Sequence, residues 1–323
     1  MIYSSVSWRV QGPAAMNNPS GGEEKAREGY VAVPGGKVWY RIVNPGAGGI
    51  PLLALHGGPG ATHDYLEPLE RLGGGRPVVF YDQLGGGNSD RPDDPSLWTL
   101  ERFVEELVEV RRALDLGRVH ILGQSWGSML AVEYMLIAGR AGVMSLILSG
   151  PCLSASRWGE DQRRYLALMP DETREAVLAC EASGDFSSRE YQDAMMSFYR
   201  RHLCRMDPWP ECLNRTFENM GRQVYEHLWG PSEFTIRGTL KGFERAGRLG
   251  ELAAPVLFTC GRHDEATPET TSSYHRMLPG SELAVFEDAS HSHHLEKAVE
   301  YLALVRAFLS RAESPRARDH RQP

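Results

Sequence analysis

The sequence has no apolar run long enough to cross a bilayer. It has no excess of basic charge either: 35 Lys and Arg face 42 Asp and Glu, for a net charge of -7 and a pI near 5.9. Nucleic acid and anionic membrane surfaces are therefore poor partners. The N-terminal stretch MIYSSVSWRVQGPAAMNNPSGGEEKAREG lacks the basic start and continuous apolar core of a secretory signal. The five cysteines (Cys152, Cys180, Cys204, Cys212 and Cys260) are odd in number, scattered, and show no metal-ligand spacing. Reduced thiols in a cytoplasmic protein are the simplest account.

What is present is an alternation of strand-like and helix-like runs. YVAVPGGKVWYRIV has the alternation and central glycines of a hairpin. PLLALHGG and RPVVFYDQLGGGNSD are short apolar runs that end in glycine. TLERFVEELVEVRRALDL reads as a helix with Thr99 as its N-cap and Phe103, Leu107, Val110 and Leu114 on one face. RVHILGQS, VMSLILSG, APVLFTCGRHDEATP and SELAVFEDASH continue the strands, and KAVEYLALVRAFLSRA is a last helix. Repeated strand, helix and parallel strand define an α/β sheet with its functional loops at the strand ends. From Leu153 to Trp229 the alternation stops, and helical spacing in DETREAVLACEA and REYQDAMMSFYRRHL points to a helical insertion over the sheet. The expected organisation is a polar disordered tail over residues 1–25, core over 26–152, helical cap over 153–232, core again over 233–310, and a second disordered tail over 311–323. Met16 is as eligible a start as Met1.

Three stretches carry chemistry. In HILGQSWGSMLAVEYMLIAG, the five residues Gly123-Gln124-Ser125-Trp126-Gly127 separate an apolar strand from a helix. Gly-x-Ser-x-Gly in that context is a nucleophile elbow: a strained turn lifts the serine oxygen clear of the sheet. A serine needs a base, and the base an orienting acid, following in the order Ser, Asp, His. Asp264 ends one later strand, with His263, Glu265 and Asp288 as rivals. His291 follows the next strand, with His293 and His294 as rivals. In LALHGGPGATHDY, glycines after a strand let backbone N–H groups approach a developing oxyanion, which places the oxyanion hole at Gly58 and Trp126.

HGGPG, FYDQLGGGNSD, GQSWGSMLA, GRHDEATP and SHSHHLE together resemble the prolyl iminopeptidase family of α/β-hydrolases, over residues 30–309. MPDETREAV, YQDAMMSFYRRHLCR, PWPECL and GPSEFTIRGTLKGFE are most like its tricorn-interacting aminopeptidase branch. The resemblance implies an α/β-hydrolase fold, a mostly parallel eight-stranded sheet flanked by helices with a helical cap. It implies the triad Ser125, Asp264 and His291, and carboxylates at Glu233 and Glu265 that hold a free N-terminal ammonium. Two departures from the branch, Gly127-Ser128 where Gly-Gly is common and the glycine-rich LGGGNS, leave proline open as the preferred first residue. Trp126, Trp209 and Trp229 are candidates for apolar pocket walls or for core.

The expected activity is a serine aminopeptidase that needs no metal or cofactor. Its substrates are short peptides or aminoacyl amides with a free N-terminus, losing proline or another small apolar residue. An amino-acid amidase or esterase and a biosynthetic acyltransferase are the alternatives. With an unperturbed imidazole base, activity would fall below about pH 6.5.

Overall fold

The computed structural model describes residues 25–314. The expected tail over residues 1–25 and the choice between Met1 and Met16 therefore lie almost wholly outside the described residues. Strands form where apolar runs are short and bounded by turn residues. They are β1 (Ala26–Val33), β2 (Gly36–Val43), β3 (Leu52–Leu55), β4 (Val78–Tyr81), β5 (Val119–Gln124), β6 (Val143–Ser149), β7 (Val256–Gly261) and β8 (Glu282–Phe286). They make one eight-stranded sheet in the order β1-β2-β4-β3-β5-β6-β7-β8. The hairpin β1–β2 is antiparallel, as is β2 against β4, and all remaining pairs are parallel. β3, β4, β5 and β7 are buried at every position, as strands covered on both faces must be.

Alternate residues serve opposite faces. Leu53, Leu55, Val79, Ile121 and Leu146 pack with α1 (Leu100–Ala113) and α2 (Trp126–Ile137). Leu52, Ala54, Val78, Leu122 and Ile147 pack with a 3-10 segment, Asp64–Gly74, and the C-terminal helix. The Thr99 hydroxyl caps α1 by accepting from the Arg102 N–H, and Phe103, Leu107 and Val110 are fully buried beneath it. α2 is buried continuously from Trp126 to Met135, the condition of a helix enclosed by protein on all sides.

Between β6 and β7 lie five α-helices and no strand: α3 (Ala155–Ala167), α4 (Asp171–Ser183), α5 (Arg189–His202), α6 (Glu211–Glu218) and α7 (Arg222–Leu228). They carry a separate apolar cluster around Leu166, Val177, Tyr191 and Phe198. Phe234 belongs to that cluster, so the cap's packing runs past residue 232, where the sequence reading ends it. The chain then returns through α8 (Pro268–Met277), α9 (His293–Glu296) and α10 (Ala298–Glu313). α10 runs to Glu313, past residue 310, the expected end of the core. Its last residue is tied down: Glu313 accepts from Arg76 at 2.5 Å and lies 2.9 Å from His120 Nε2. The rest of that tail, from residue 315, lies outside the described residues.

The sheet order positions the site. β4 and β5 flank β3 on opposite sides, so the chain changes direction there and leaves a crevice at the strands' C-terminal ends. Leu55 and Gly123 are in register, which brings the loops after β3 and β5 level with each other. Phe103 packs its ring edge-on to Trp126, with centroids 5.6 Å apart, directly under the elbow. Phe103→Ala should therefore lower the unfolding free energy by about 3–5 kcal/mol, measured by urea titration.

Candidate active site

Ser125 occupies φ 54°, ψ −121°, a conformation that costs a non-glycine residue energy and is held only where the surroundings enforce it. The surroundings do so by contact. A methyl group on Gly127 would lie 2.2 Å from the Leu55 carbonyl, and one on Gly123 would lie 2.2 Å from the Gly127 carbonyl. The Ser125 N–H donates to the Ser149 carbonyl at 2.9 Å. Ser128 donates its hydroxyl to the Ser125 carbonyl (2.6 Å) and accepts from the Cys152 N–H (3.1 Å). The serine at this branch-variant position thus fastens the elbow to the loop after β6.

The HGGPG loop is fastened from two sides. The Gly57 N–H donates to Tyr65 Oη (2.7 Å), which donates in turn to Gln124 Oε1 (2.5 Å). The Gln83 N–H donates to His56 Nε2 (2.9 Å), and Gln83 Oε1 accepts from the Trp126 indole (2.8 Å). The Gly57 N–H is thus occupied, and Gly58 lines the cavity at φ 106°, a left-handed backbone that suits glycine. Among the described residues no protein acceptor takes the N–H groups of Gly58 and Trp126. The Trp126 side chain is core rather than a pocket wall, because its indole is packed on Phe103 and bonded to Gln83.

Asp264 is fully buried after β7. Its Oδ1 lies 2.7 Å from His291 Nδ1 and accepts the Ala266 N–H, and its Oδ2 accepts the Gly261 N–H. The rivals have other surroundings. Asp288 is exposed. His293 sits beneath Asp264 with Nε2 2.9 Å from the hydroxyls of Ser149 and Thr259. His294 holds the Tyr65 carbonyl at 3.1 Å. Burial pushes these two imidazoles down to about 4 and about 3 respectively, so both are neutral.

Ser125, His291, Gly58, Glu233 and Glu265 line one cavity of about 1440 Å³ under the cap. Within the described residues no hydrogen bond joins Ser125 Oγ to His291 Nε2. Glu265 Oε1 lies 3.5 Å from that nitrogen. Glu265 is 2 % exposed, and its Oε2 has no protein partner. Burial, reinforced by the charges of Glu233 and Asp264 and opposed by His291, holds its carboxyl well above the usual range. Glu233 accepts from Tyr225 Oη (2.6 Å) and from the Trp229 indole (3.1 Å), and burial raises it as well. Burial alone would lower the His291 imidazole, but the charges of Asp264, Glu265 and Glu233 outweigh it and raise it to about 9. The expectation of an acid limb near pH 6.5 presumed an imidazole without three acids around it; these charges move the expected limb upward.

Several contributors escaped the sequence. Trp158 sets its ring edge-on to both His291 and Trp229, with centroids 6.0 and 5.9 Å away. Tyr225 orients Glu233, and Tyr199 lines the same wall. No local pattern marks these residues, because each reaches the site through the packing of cap helices. Trp209 lines the cavity, as one of the tryptophan candidates, and Trp229 is buried behind Glu233. The one group among the described residues suited to a metal, His63, Asp64 and Glu67, is engaged by Asp82 and Arg215.

A strained serine after β5, a glycine loop after β3 and an Asp–His pair after β7 and β8 are the arrangement of an α/β-hydrolase, and the α/β-hydrolase fold model matches residues 50–298. The proline iminopeptidase of Heyndrickxia coagulans is 45% identical over 284 residues, covering 88% of this chain and 98% of that protein. Among solved structures, VinJ superposes with a TM-score of 0.85 at 34% identity, covering 88% of this chain and 99% of its own. The proline iminopeptidase of Mycobacterium smegmatis superposes with a TM-score of 0.81 at 36% identity, covering 88% and 98%. The chain belongs to the proline iminopeptidase family of α/β-hydrolases.

A methyl group on Gly150 would lie 2.7 Å from His291 Nδ1 and Cε1. Gly150→Ala should displace the imidazole and lower kcat/KM by about 10²-fold, the scale of a 1 Å misplacement. Circular dichroism would check that the fold is retained.

Proposed function

We propose that this chain is a serine aminopeptidase that releases the first residue, proline or another small apolar one, from short peptides or aminoacyl amides with a free N-terminus. The observation that carries the reading is the pair Glu233 and Glu265 in the same cavity as Ser125 and His291. Two buried carboxyls, one with an unpartnered oxygen, form a receptor for a cation, and a peptide's N-terminal ammonium is such a cation. An ammonium anchored there, one residue's length from the serine, would place cleavage after the first residue.

In the proposed reaction His291 Nε2 takes the Ser125 proton as Oγ attacks the carbonyl carbon. The oxyanion accepts from the Gly58 and Trp126 N–H groups, each such donor being worth about 10²–10³-fold in rate. Protonated His291 passes its proton to the leaving amine, the C–N bond breaks, and an acyl-Ser125 ester remains. Water, deprotonated by the same imidazole, hydrolyses that ester and restores the serine. Asp264, holding Nδ1, keeps the tautomer in which Nε2 is the base. The cap over the cavity favours small substrates over folded chains. We place the enzyme in the cytoplasm, in keeping with five unpaired thiols; among the described residues no helix is long and apolar enough to cross a membrane.

Rates on prolyl, alanyl and leucyl p-nitroanilides, each beside its N-acetyl counterpart, test the assignment. Free-amine substrates should exceed capped ones by at least about 10²-fold, the loss expected when a buried charge pair is left unmade; equal rates would refute the acid pair as an anchor. Ser125→Ala should reduce turnover by at least about 10⁴-fold at unchanged Tm, and substantial residual activity would remove Ser125 as nucleophile.

A further inference from the structure

His291 Nε2, the atom that must accept the serine proton, lies 3.5 Å from Glu265 Oε1, and among the described residues no hydrogen bond joins it to the serine oxygen. Glu265 is buried, and among the described residues its one ion-pair partner is His291. No Lys or Arg pairs with Glu265 or Glu233 there. A buried carboxylate without a cation is unstable, so it either keeps a proton or draws one onto the nearest base.

We propose that, before substrate binds, Glu265 holds His291 as its protonated ion-pair partner, and that a substrate ammonium entering between Glu233 and Glu265 replaces that partner and frees Nε2 to act as base. The inference rests on the aminopeptidase reading above and adds to it. Recognition of the amine then does more than anchor the substrate: it switches on the nucleophile. Binding the ammonium releases one proton from His291 to solvent, and the ammonium takes over the neutralisation of the acid pair. A capped substrate that reaches the cavity meets an imidazole already carrying its proton, so the discrimination falls on kcat as well as on KM.

The groups around His291 leave the acids as its charged neighbours. Asp264 and Glu265 face it from the loop after β7, and Glu233 from the segment after α7. His293 and His294 on its own segment are neutral, and His202, whose carbonyl accepts the His291 N–H, is lowered by burial to about 4. Tyr199 on α5, Tyr225 on α7 and Cys152 after β6 are pushed up by burial and by the acids, and they remain uncharged at neutral pH. The Trp158 ring edge closes the remaining side. The carboxyls are thus the groups whose neutralisation alters the base.

Hydrolysis of p-nitrophenyl acetate provides the test, because this ester has no amine. With pyrrolidinium, which stays protonated from pH 6 to 9, acetyl and ammonium together fill the space of one prolyl group. The Ser125→Ala protein serves as the blank for direct aminolysis. Without pyrrolidinium, kcat/KM should rise with pH through a midpoint near 9, where the acids hold His291. With saturating pyrrolidinium the midpoint should move down by at least one unit and the rate at pH 7 should rise at least about tenfold. Glu265→Gln should show the low midpoint from the outset and no response to pyrrolidinium. Should that variant fail to fold, a ¹⁵N titration of His291 in the wild-type protein, with and without pyrrolidinium, reads the same shift. Ser125-dependent hydrolysis whose midpoint ignores pyrrolidinium overturns the switch alone. A Ser125→Ala protein as active as wild type overturns the serine hydrolase reading and the switch with it.

Discussion

Three backbone segments meet where there is no room for a single extra methyl group. Gly127 at the start of α2 touches the end of β3, and Gly123 at the end of β5 touches Gly127. This contact forces the chain to turn within one residue, and Ser125 takes the strained conformation that results. Strain of this kind persists only if something larger pays for it. Here the source is α2, buried from Trp126 to Met135 between the sheet and α1. The all-round apolar burial of one helix and the completely buried strands beside it therefore determine where a hydroxyl points. Because β3 and β5 are level, the same packing sets the glycine loop opposite that hydroxyl.

Electrostatics add a second layer on this rigid base. Asp264 is surrounded by donors: the His291 ring and the N–H groups of Gly261 and Ala266. It has what an ionised buried carboxylate needs. Glu265, the next residue, is as deeply buried and has an unpartnered oxygen. Two adjacent acids thus face opposite sides of one imidazole with unequal solvation. The satisfied one orients the ring. The unsatisfied one is the side of the site that has a use for an added positive charge.

Much of this was legible along the chain, for identifiable reasons. Buried parallel strands announce themselves as short apolar runs, and the turn residues that end them mark the loops where chemistry collects. The elbow was legible because steric crowding demands glycine on both sides of a serine. The choice among His291, His293 and His294 was not legible locally, since three histidines within four residues share one loop and differ only in their tertiary partners. Glu233 and Glu265 were visible through family resemblance alone, because a lone glutamate carries no sign of burial. Trp126 illustrates a different limit: an aromatic beside the elbow serine reads equally as a pocket wall or as core, and only the tertiary bond of its indole to Gln83 decides for core. The basicity of His291 depends on three acids from two separated segments, and no window of sequence contains that sum.

The cap is also more than a roof. Helix α3 holds the loop after β7 at several points: the Tyr165 hydroxyl donates to the Asp264 carbonyl (3.0 Å), Gln162 to the Glu265 carbonyl (2.9 Å), and Asp161 accepts from Thr267 (2.8 Å) and Thr270 (2.5 Å). Asp161 and Gln162 are themselves buried, so these bonds form away from competing water. The loop they hold bears both the acid that orients the imidazole and the acid that faces its other nitrogen. A shift of α3 would move the two together, altering the proposed base and the proposed charge receptor in one step. The cap was recognised in the sequence as an interruption of the α/β pattern. Its polar residues make it a structural part of the candidate site, and a cap swapped from a distant hydrolase would have to reproduce Asp161, Gln162 and Tyr165 before its apolar lining mattered.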